Sequence, residues 1–428
     1  MVGLYLNTNC LSAFSSYILL YWRNTVAMGH PFERSAESTA PVSLVYPSEG
    51  DDDTKSGINY LLEGFRETHP DVPIELEMVS ADIVGLEVKT RVLRERSPDV
   101  WLEWPGRNVR PYQDADILLD LTDLWESTDM ERAYLDGPKR AAQFDGCYRA
   151  VPLTIHRANS LFYHTELIEQ ADLEPERITT PQGLVDALER VASTTDAVPL
   201  ALPMQNPWPV LQFWETLLLA EHGPRVYRSI LDGAAHRNRD AIRGTLELLD
   251  QFTAYTAEDT LYCSLMEESH RFRDGEVAFF PQGDWVGGIL EGEGMTYQDG
   301  WDHTPFPGTE GLYSIVMDAL VAAADTDATE GTKRFLEYAG TAEAQVLFNQ
   351  HKGSIPPRAD VSMDAFSPFL QQQQRDFKQS TEQPFSIAHG LGVTPTQFVE
   401  LKSAVVQFLT ERNVDTTADE LVEIFARE

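Results

Sequence analysis

From Pro41 onward the apolar residues of this chain alternate between two spacings, and that alternation restricts the fold more than any other feature. Val42 to Tyr46 is an apolar run of strand length, closed by the turn Ser48-Glu49-Gly50-Asp51. Asp53 to Thr68 then sets Ile58, Leu61, Leu62 and Phe65 on one helical face. Val72 to Val79 alternates as a strand, Ala81 to Arg96 is helical again, and Asp99 to Leu102 is a third strand. A β-α-β-α-β order needs crossover helices and so predicts a parallel sheet. Ligands of such sheets sit beyond the carboxyl ends of the strands, which here are Tyr46 to Asp51 and Trp101 to Gly106.

A second αβ region follows. Strands are expected at Ser160 to Tyr163, Val198 to Leu202 and Val277 to Phe280, with one long apolar strand-like run from Tyr313 to Ala323. Helices are expected at Pro181 to Ala192, Pro209 to Glu221 and Ala241 to Thr253. The last hundred residues read as helices at Thr329 to Tyr338, Ala342 to Gln350, Thr396 to Leu409 and Thr417 to Ala426. Gln371 to Gln374 reads as a solvated helix face. The chain has 428 residues, too many for one core, and it shows no linker and no fixed-period repeat. Two αβ units packed around a cleft are the expectation.

Charge narrows the partners. Asp and Glu number 68 against 33 Lys and Arg, a net charge of −35. Such a surface repels nucleic acid phosphates and anionic lipids, so neither is an expected ligand. Lys occurs only at positions 55, 89, 139, 333, 352, 378 and 402. Concentrated salt screens the self-repulsion of this surface, which points to a halophilic source. Cys10, Cys147 and Cys263 are isolated and no CxxC exists, so structural thiols are expected rather than a disulfide framework or a metal site. Leu11 to Trp22 is apolar but short, lacks a preceding basic residue and fits neither a secretory signal nor a membrane span; Asn7 to Cys10 does not resemble a lipoprotein box. Residues 1–40 read as an extension outside the folded unit.

Five segments, in order, resemble one family. They are Ala150-Val151-Pro152-Leu153-Thr154-Ile155-His156-Arg157-Ala158-Asn159-Ser160-Leu161-Phe162-Tyr163; Phe279-Phe280-Pro281-Gln282-Gly283-Asp284-Trp285; Pro307-Gly308-Thr309-Glu310-Gly311; Lys352-Gly353-Ser354-Ile355-Pro356-Pro357-Arg358; and Ala388-His389-Gly390. In this order they resemble the carbohydrate-binding, maltose-binding-protein-like solute receptors of ABC importers, nearest the branch of glucose and other monosaccharide binders. The resemblance implies an α/β, two-lobe, periplasmic-binding-protein-like (Venus flytrap) fold, each lobe a mostly parallel sheet flanked by helices, with hinge segments between them. It implies a first lobe of residues 41–145 plus 316–340 and a second of 146–315 plus 341–428. Crossings are expected near Phe144 to Cys147, near Ser314 and near Tyr338 to Thr341. It also implies a mono- or small oligosaccharide ligand, transmembrane permease subunits as partners, a monomer at the extracellular face of the membrane, and no cofactor or metal.

An enclosed sugar needs partners for its hydroxyls and flat apolar faces for its C–H patches. By the resemblance, Asp284 accepts hydroxyls; otherwise it is the N-cap of the helix at Trp285. Trp285 stacks on sugar or packs between lobes. Lys352 donates to hydroxyls or complements its helix C-terminus. His389 matches the family's late sugar-contacting histidine, and His156 and Asn159 are contacts or packing and turn residues. In the first lobe the family's double-Trp turn is replaced by Val45 to Asp51, leaving Tyr46 as a stacking face and Glu49 or Asp51 as the carboxylate. Trp104, in Leu102-Glu103-Trp104, replaces a Gln-Val-His stretch as a platform; Trp208, between two prolines, is a platform or a core residue. No GxSxG, P-loop, HExxH or strand-linked GxGxxG is present, so catalysis is not indicated. An acidic carbohydrate-active enzyme and a signal-less intracellular ligand sensor of the same fold remain the alternatives.

Overall fold

The computed structural model describes residues 40–48, 56–80 and 83–427. The 1–40 extension, Glu49 and Asp51 therefore lie outside the described residues, Ala40 excepted. Strand β1 (Val42–Ser48) pairs in parallel with β2 (Ile74–Ser80) and β3 (Val100–Glu103), with helices Gly57–Thr68 and Val84–Leu93 as crossovers. Ile58, Leu61, Leu62 and Phe65 face this sheet and are fully buried, as their spacing requires.

The next strands are the short hairpin β4 (Gln143–Phe144) and β5 (Cys147–Tyr148), then β6 (Val151–Pro152), β7 (His156–Arg157) and β8 (Ser160–His164). They are followed by β9 (Val198–Leu200), β10 (Val277–Gln282), β11 (Trp301–Pro305), β12 (Ile315–Val316) and β13 (Ala319–Ala322). The first sheet has the order β2-β1-β3-β13-β6, closed by antiparallel β13 and β6. The second has the order β11-β8-β10-β9, with β9 and β10 parallel and the other two pairings antiparallel. Each sheet has its own apolar core beneath its helices, and a third cluster around Ile155, Phe280, Met317 and Leu391 extends along the boundary between them. The fold is α/β and two-lobed, but neither sheet is mostly parallel as expected: β13 and β6 return antiparallel in the first, and β8 pairs antiparallel with both its neighbours in the second.

The crossings lie later in the chain than expected. Asp145 (φ 49°) and Gly146 (φ 84°) turn the chain back on itself, and the Leu121 N–H donates to Tyr148 O, so 143–148 is a hairpin on the first lobe and not a hinge. The first crossing is Leu153 to Ile155, between β6 and β7. The second is Met317–Asp318, where the apolar run 313–323 breaks into β12 on one side and β13 on the other. The third follows helix Ala342–Lys352, which packs on Gly57–Thr68 and so groups with the first lobe rather than the second. The three are hydrogen-bonded to one another: Leu153 N–H donates to Asp318 O (2.8 Å), Asp318 N–H to Thr154 Oγ1 (2.9 Å), and Ile155 N–H to Ile355 O (2.9 Å). Asp318, the one charged residue in the run 313–323, marks the change of sheet.

The glutamine tract also differs from expectation. Gln373 is fully buried and meets His303 across a 2.6 Å N–N contact, because helix Pro368–Gln379 turns that face onto β11. Cys147 and Cys263 are free thiols, and among the described residues no helix is long and apolar enough to cross a membrane.

Candidate functional site

Loops from both lobes meet where the strands end. Trp104 follows β3 on the first lobe. On the second, His156 begins β7, Asp284 and Trp285 follow β10, Trp208 opens the helix Trp208–Ser229, and His389 lies on a tight turn. The His389 imidazole stands at the centre, with ring centroids of Trp285 at 5.1 Å, Trp208 at 5.5 Å and Trp104 at 5.7 Å. Trp285 also meets Trp208 and His156, each at 5.8 Å. The edge and tilted arrangements suit the aromatic quadrupole, and the group presents apolar faces beside polar atoms.

Local sequence explains the placement. Pro207 and Pro209 fix φ around Trp208 and start its helix there. Gly283 is required because a Cβ there would lie 2.2 Å from the Trp285 indole, which folds back over the chain. Asp284 is fully buried and makes no N-cap bond. Its Oδ1 meets His156 Nδ1 at 2.7 Å, while Oδ2 accepts from Arg157 N–H (3.0 Å) and Tyr313 O–H (3.3 Å). An acceptor-only carboxylate holds the proton of His156 on Nδ1, so Asp284 orients that ring with Nε2 directed away from it.

His389 is held from below. Its Nδ1 lies 3.1 Å from Ser386 Oγ, which donates to Glu215 Oε1 at 2.6 Å. Glu215 Oε2 accepts from Ile387 N–H and Ala388 N–H (3.2 Å), and the Tyr227 hydroxyl lies between it (3.0 Å) and Phe385 O (2.8 Å). Burial pushes the Glu215 carboxyl up to about 7, against the pull of these donors. Burial, with the nearby His156, takes His389 down to about 3, so the ring is neutral across the physiological range. The first lobe contributes Glu103, whose Oε1 accepts from Asn108 Nδ2 (2.5 Å) and Trp104 N–H (3.1 Å) and whose carboxyl is raised by burial.

The lobes touch around this group. Arg107 N–H donates to Leu391 O at 2.9 Å, and its guanidinium reaches Leu231 O and Asp232 (3.1 Å). Trp104 meets Phe398 edge-on at 5.8 Å. The arrangement is closed.

Of the expected residues, Trp104, His156, Trp208, Asp284, Trp285 and His389 come together. Lys352 ends its helix at the seam: Gly57 lies against its Cβ, and the following Gly353 abuts Gly288 of helix Trp285–Gly292. Tyr46 is a correction: it is fully buried in the first-lobe core, edge-on to Phe348, with no free face for a ligand. Asn159 is another. Its amide donates to Thr309 Oγ1 and Leu312 O and accepts from Ser314 N–H, which uses its capacity in holding the 309–314 loop. Glu103, Glu215 and Ser386 were missed. A carboxylate inside the apolar stretch Leu211 to Leu219 was the only available signal for Glu215. Elsewhere, a shallow depression of about 640 Å³ lined by Glu126, Thr128, Asp129 and Arg132 carries none of these residues. Among the described residues no cluster of three potential ligands could hold a metal ion.

The sequence profile of the bacterial extracellular solute-binding proteins matches residues 51–346. The chain belongs to that family. A xylose/arabinose-binding protein of Haloferax volcanii is 31% identical over 377 residues, 86% of this chain and 81% of that protein. A glucose-binding protein of Saccharolobus solfataricus is 23% identical over 198 residues, 42% of this chain and 35% of that one. Two solved structures share the fold at a TM-score of 0.79. One belongs to work on xylan utilization by Caldanaerobius polysaccharolyticus (16% identity, 89% of this chain, 99% of that one). The other is the solute receptor AcbH, described as preferring β-D-galactopyranose (14% identity, 90% and 98%).

Proposed function

We propose that this family member is the sugar-binding component of an ABC importer, that it closes its lobes over a mono- or small oligosaccharide, and that it delivers the sugar to membrane permease subunits without chemical change. The observation that carries the reading is the convergence of three tryptophans and two oriented histidines from both lobes at one boundary. Indole faces cover sugar C–H patches, and imidazole nitrogens with fixed protons exchange hydrogen bonds with hydroxyls. Trp104, His156, Trp208, Trp285, Lys352 and His389 are the proposed contacts, with Asp284 orienting His156.

Binding rather than catalysis is supported by the state of the carboxylates. Asp284 already takes three donors, and Glu103 is tied to Asn108 and Trp104. The relative from Haloferax volcanii adds pentoses to the hexoses as the first sugars to test. We read the net charge of −35 as a surface adapted to concentrated salt. Titration of the tryptophan fluorescence with xylose, arabinose, glucose and galactose in molar KCl tests the reading. A saturable change with any of them supports it. No response to any sugar, with a response to amino acids, refutes it.

A further inference from the structure

We infer that Glu215, with its carboxylate ionised and acting through Ser386, fixes which nitrogen of His389 carries the proton and thereby makes His389 a hydrogen-bond acceptor toward the ligand. The inference deepens the sugar-binding reading and rests on it for the identity of the ligand alone.

Glu215 Oε2 faces two obligatory donors, the N–H groups of Ile387 and Ala388, so that oxygen carries no proton; the Tyr227 hydroxyl lies 3.0 Å from it and 2.8 Å from Phe385 O, and its one proton serves one or the other. Oε1 faces Ser386 Oγ alone among the described residues. With the carboxylate ionised, the single Ser386 proton points at Oε1. Ser386 Oγ then has only lone pairs to offer His389 Nδ1, so the proton of the neutral imidazole must sit on Nδ1. Nε2 is left as a bare lone pair, with no partner among the described residues, inside the ring of Trp104, Trp208 and Trp285. His389 is 8% exposed, so its ring lies mostly within the cage and Nε2 is the nitrogen left for a hydroxyl donor.

Trp208 and Glu215 lie seven residues apart on one helix, two turns along the same face, so one rigid element carries both a wall of the cage and the base of the relay. Glu215 touches neither ligand nor reacting atom. It is a positioning residue.

The substitution Glu215→Gln reverses the chain. Only the amide oxygen can accept from Ile387 and Ala388 N–H, so the NH2 group faces Ser386, whose hydroxyl must then donate to His389 Nδ1. The imidazole proton moves to Nε2, and the acceptor toward the ligand becomes a donor. Long-range 1H–15N correlation spectra of histidine-labelled protein, recorded near pH 9 without sugar, read the tautomer directly. The expected results are Nδ1–H in the wild type, Nε2–H in Glu215→Gln, and a mixture in Ser386→Ala. Nε2–H in the wild type, or an unchanged tautomer in a folded Glu215→Gln, overturns the assignment. If Glu215→Gln does not fold, the wild-type and Ser386→Ala spectra decide it, and an Nδ1–H population unchanged by Ser386→Ala counts against it. A sugar titration of the same samples separates the two readings: loss of one ligand hydrogen bond weakens Glu215→Gln by about tenfold. The predicted tautomers with no sugar binding by any sample leave the relay standing and refute the function instead.

Discussion

Closure can be tested at one glycine. Gly106 has φ +86°, and a Cβ on it would lie 2.5 Å from Leu391 O and 3.1 Å from Leu391 Cα, on the opposite lobe. The adjacent Arg107 N–H donates to the same oxygen. Gly106→Ala therefore imposes two separable costs. The left-handed conformation costs an L-residue about 1–2 kcal/mol in the open and closed forms alike, so it lowers stability without changing affinity. The overlap with Leu391 exists only when the lobes meet; it forces them apart and forfeits the Arg107 bond, about 1 kcal/mol, or, where the lobes stay packed, leaves its polar groups buried and unpaired at about 1–3 kcal/mol. A closing penalty of about 1–3 kcal/mol raises the Kd roughly 5- to 150-fold. Gly146→Ala is the control, because Gly146 has φ +84° but no atom within 4 Å of a Cβ. Calorimetric titration gives the affinities, and small-angle X-ray scattering with saturating sugar gives the radius of gyration. Weakened binding and a larger radius for Gly106→Ala, with a melting temperature lowered equally in both variants, is the expected pattern. Equal affinities and radii in both variants would show that the Gly106–Leu391 contact does not govern closure.

Further outcomes follow from the same geometry. Asp284→Asn puts an NH2 group where a donor must be accepted from His156, Arg157 or Tyr313, so sugar affinity falls at least about tenfold while circular dichroism keeps the wild-type fold. Trp208→Ala removes one wall of the cage and weakens sugar binding by about tenfold, read by calorimetry, with a small change in melting temperature because Trp208 is only half-buried. His389 and Glu215, both buried, act in opposite directions. His389, lowered to about 3, contributes stability that is present above its unfolded value of 6.5 and is lost as pH falls, about 2 kcal/mol by pH 5. Glu215, raised to about 7, contributes stability that is present below its unfolded value of 4.5 and is lost as pH rises toward 7, so it gains about 2–3 kcal/mol between pH 8 and pH 5. Denaturant unfolding of Glu215→Gln should therefore show a loss at pH 5 relative to pH 8 that the wild type does not show. The net charge of −35 predicts a melting temperature that climbs steeply between roughly 0.1 and roughly 2 M KCl, and a flat response would remove the halophilic reading.

What the sequence made legible follows from where each constraint is local. The helix Gly57–Thr68 and strands β1, β2 and β10 were readable because their burial repeats at 3.6 or 2 residues, or is continuous. The change of sheet at Met317–Asp318 was less so: Asp318 alone marks it, 313–323 is apolar on both sides of the break, and only pairing with β7 or β3 distinguishes the halves. The third crossing moved for the same reason: helix Ala342–Lys352 has an apolar face, but nothing in it names Gly57–Thr68 as its partner. In the site, Trp104, His156, Trp208, Asp284, Trp285 and His389 were chosen by residue type and by resemblance, and the fold brings them together. Tyr46 looked available only because a strand-terminal aromatic does not reveal which face its ring takes. Glu215 and Ser386 lie 171 positions apart, and no spacing rule links them. Their relay exists only once helix Trp208–Ser229 is packed under the 386–391 turn.

The central claim is that a sugar is enclosed between the lobes by this aromatic and histidine group. Isothermal titration calorimetry of the whole chain in molar KCl, with xylose, arabinose, glucose and galactose and with amino acids and glycerol phosphates as comparison ligands, addresses it most directly. One saturable site is expected for at least one of the sugars, abolished or weakened at least about tenfold by Trp285→Ala. Saturable binding of a comparison ligand with no heat from any sugar would contradict it.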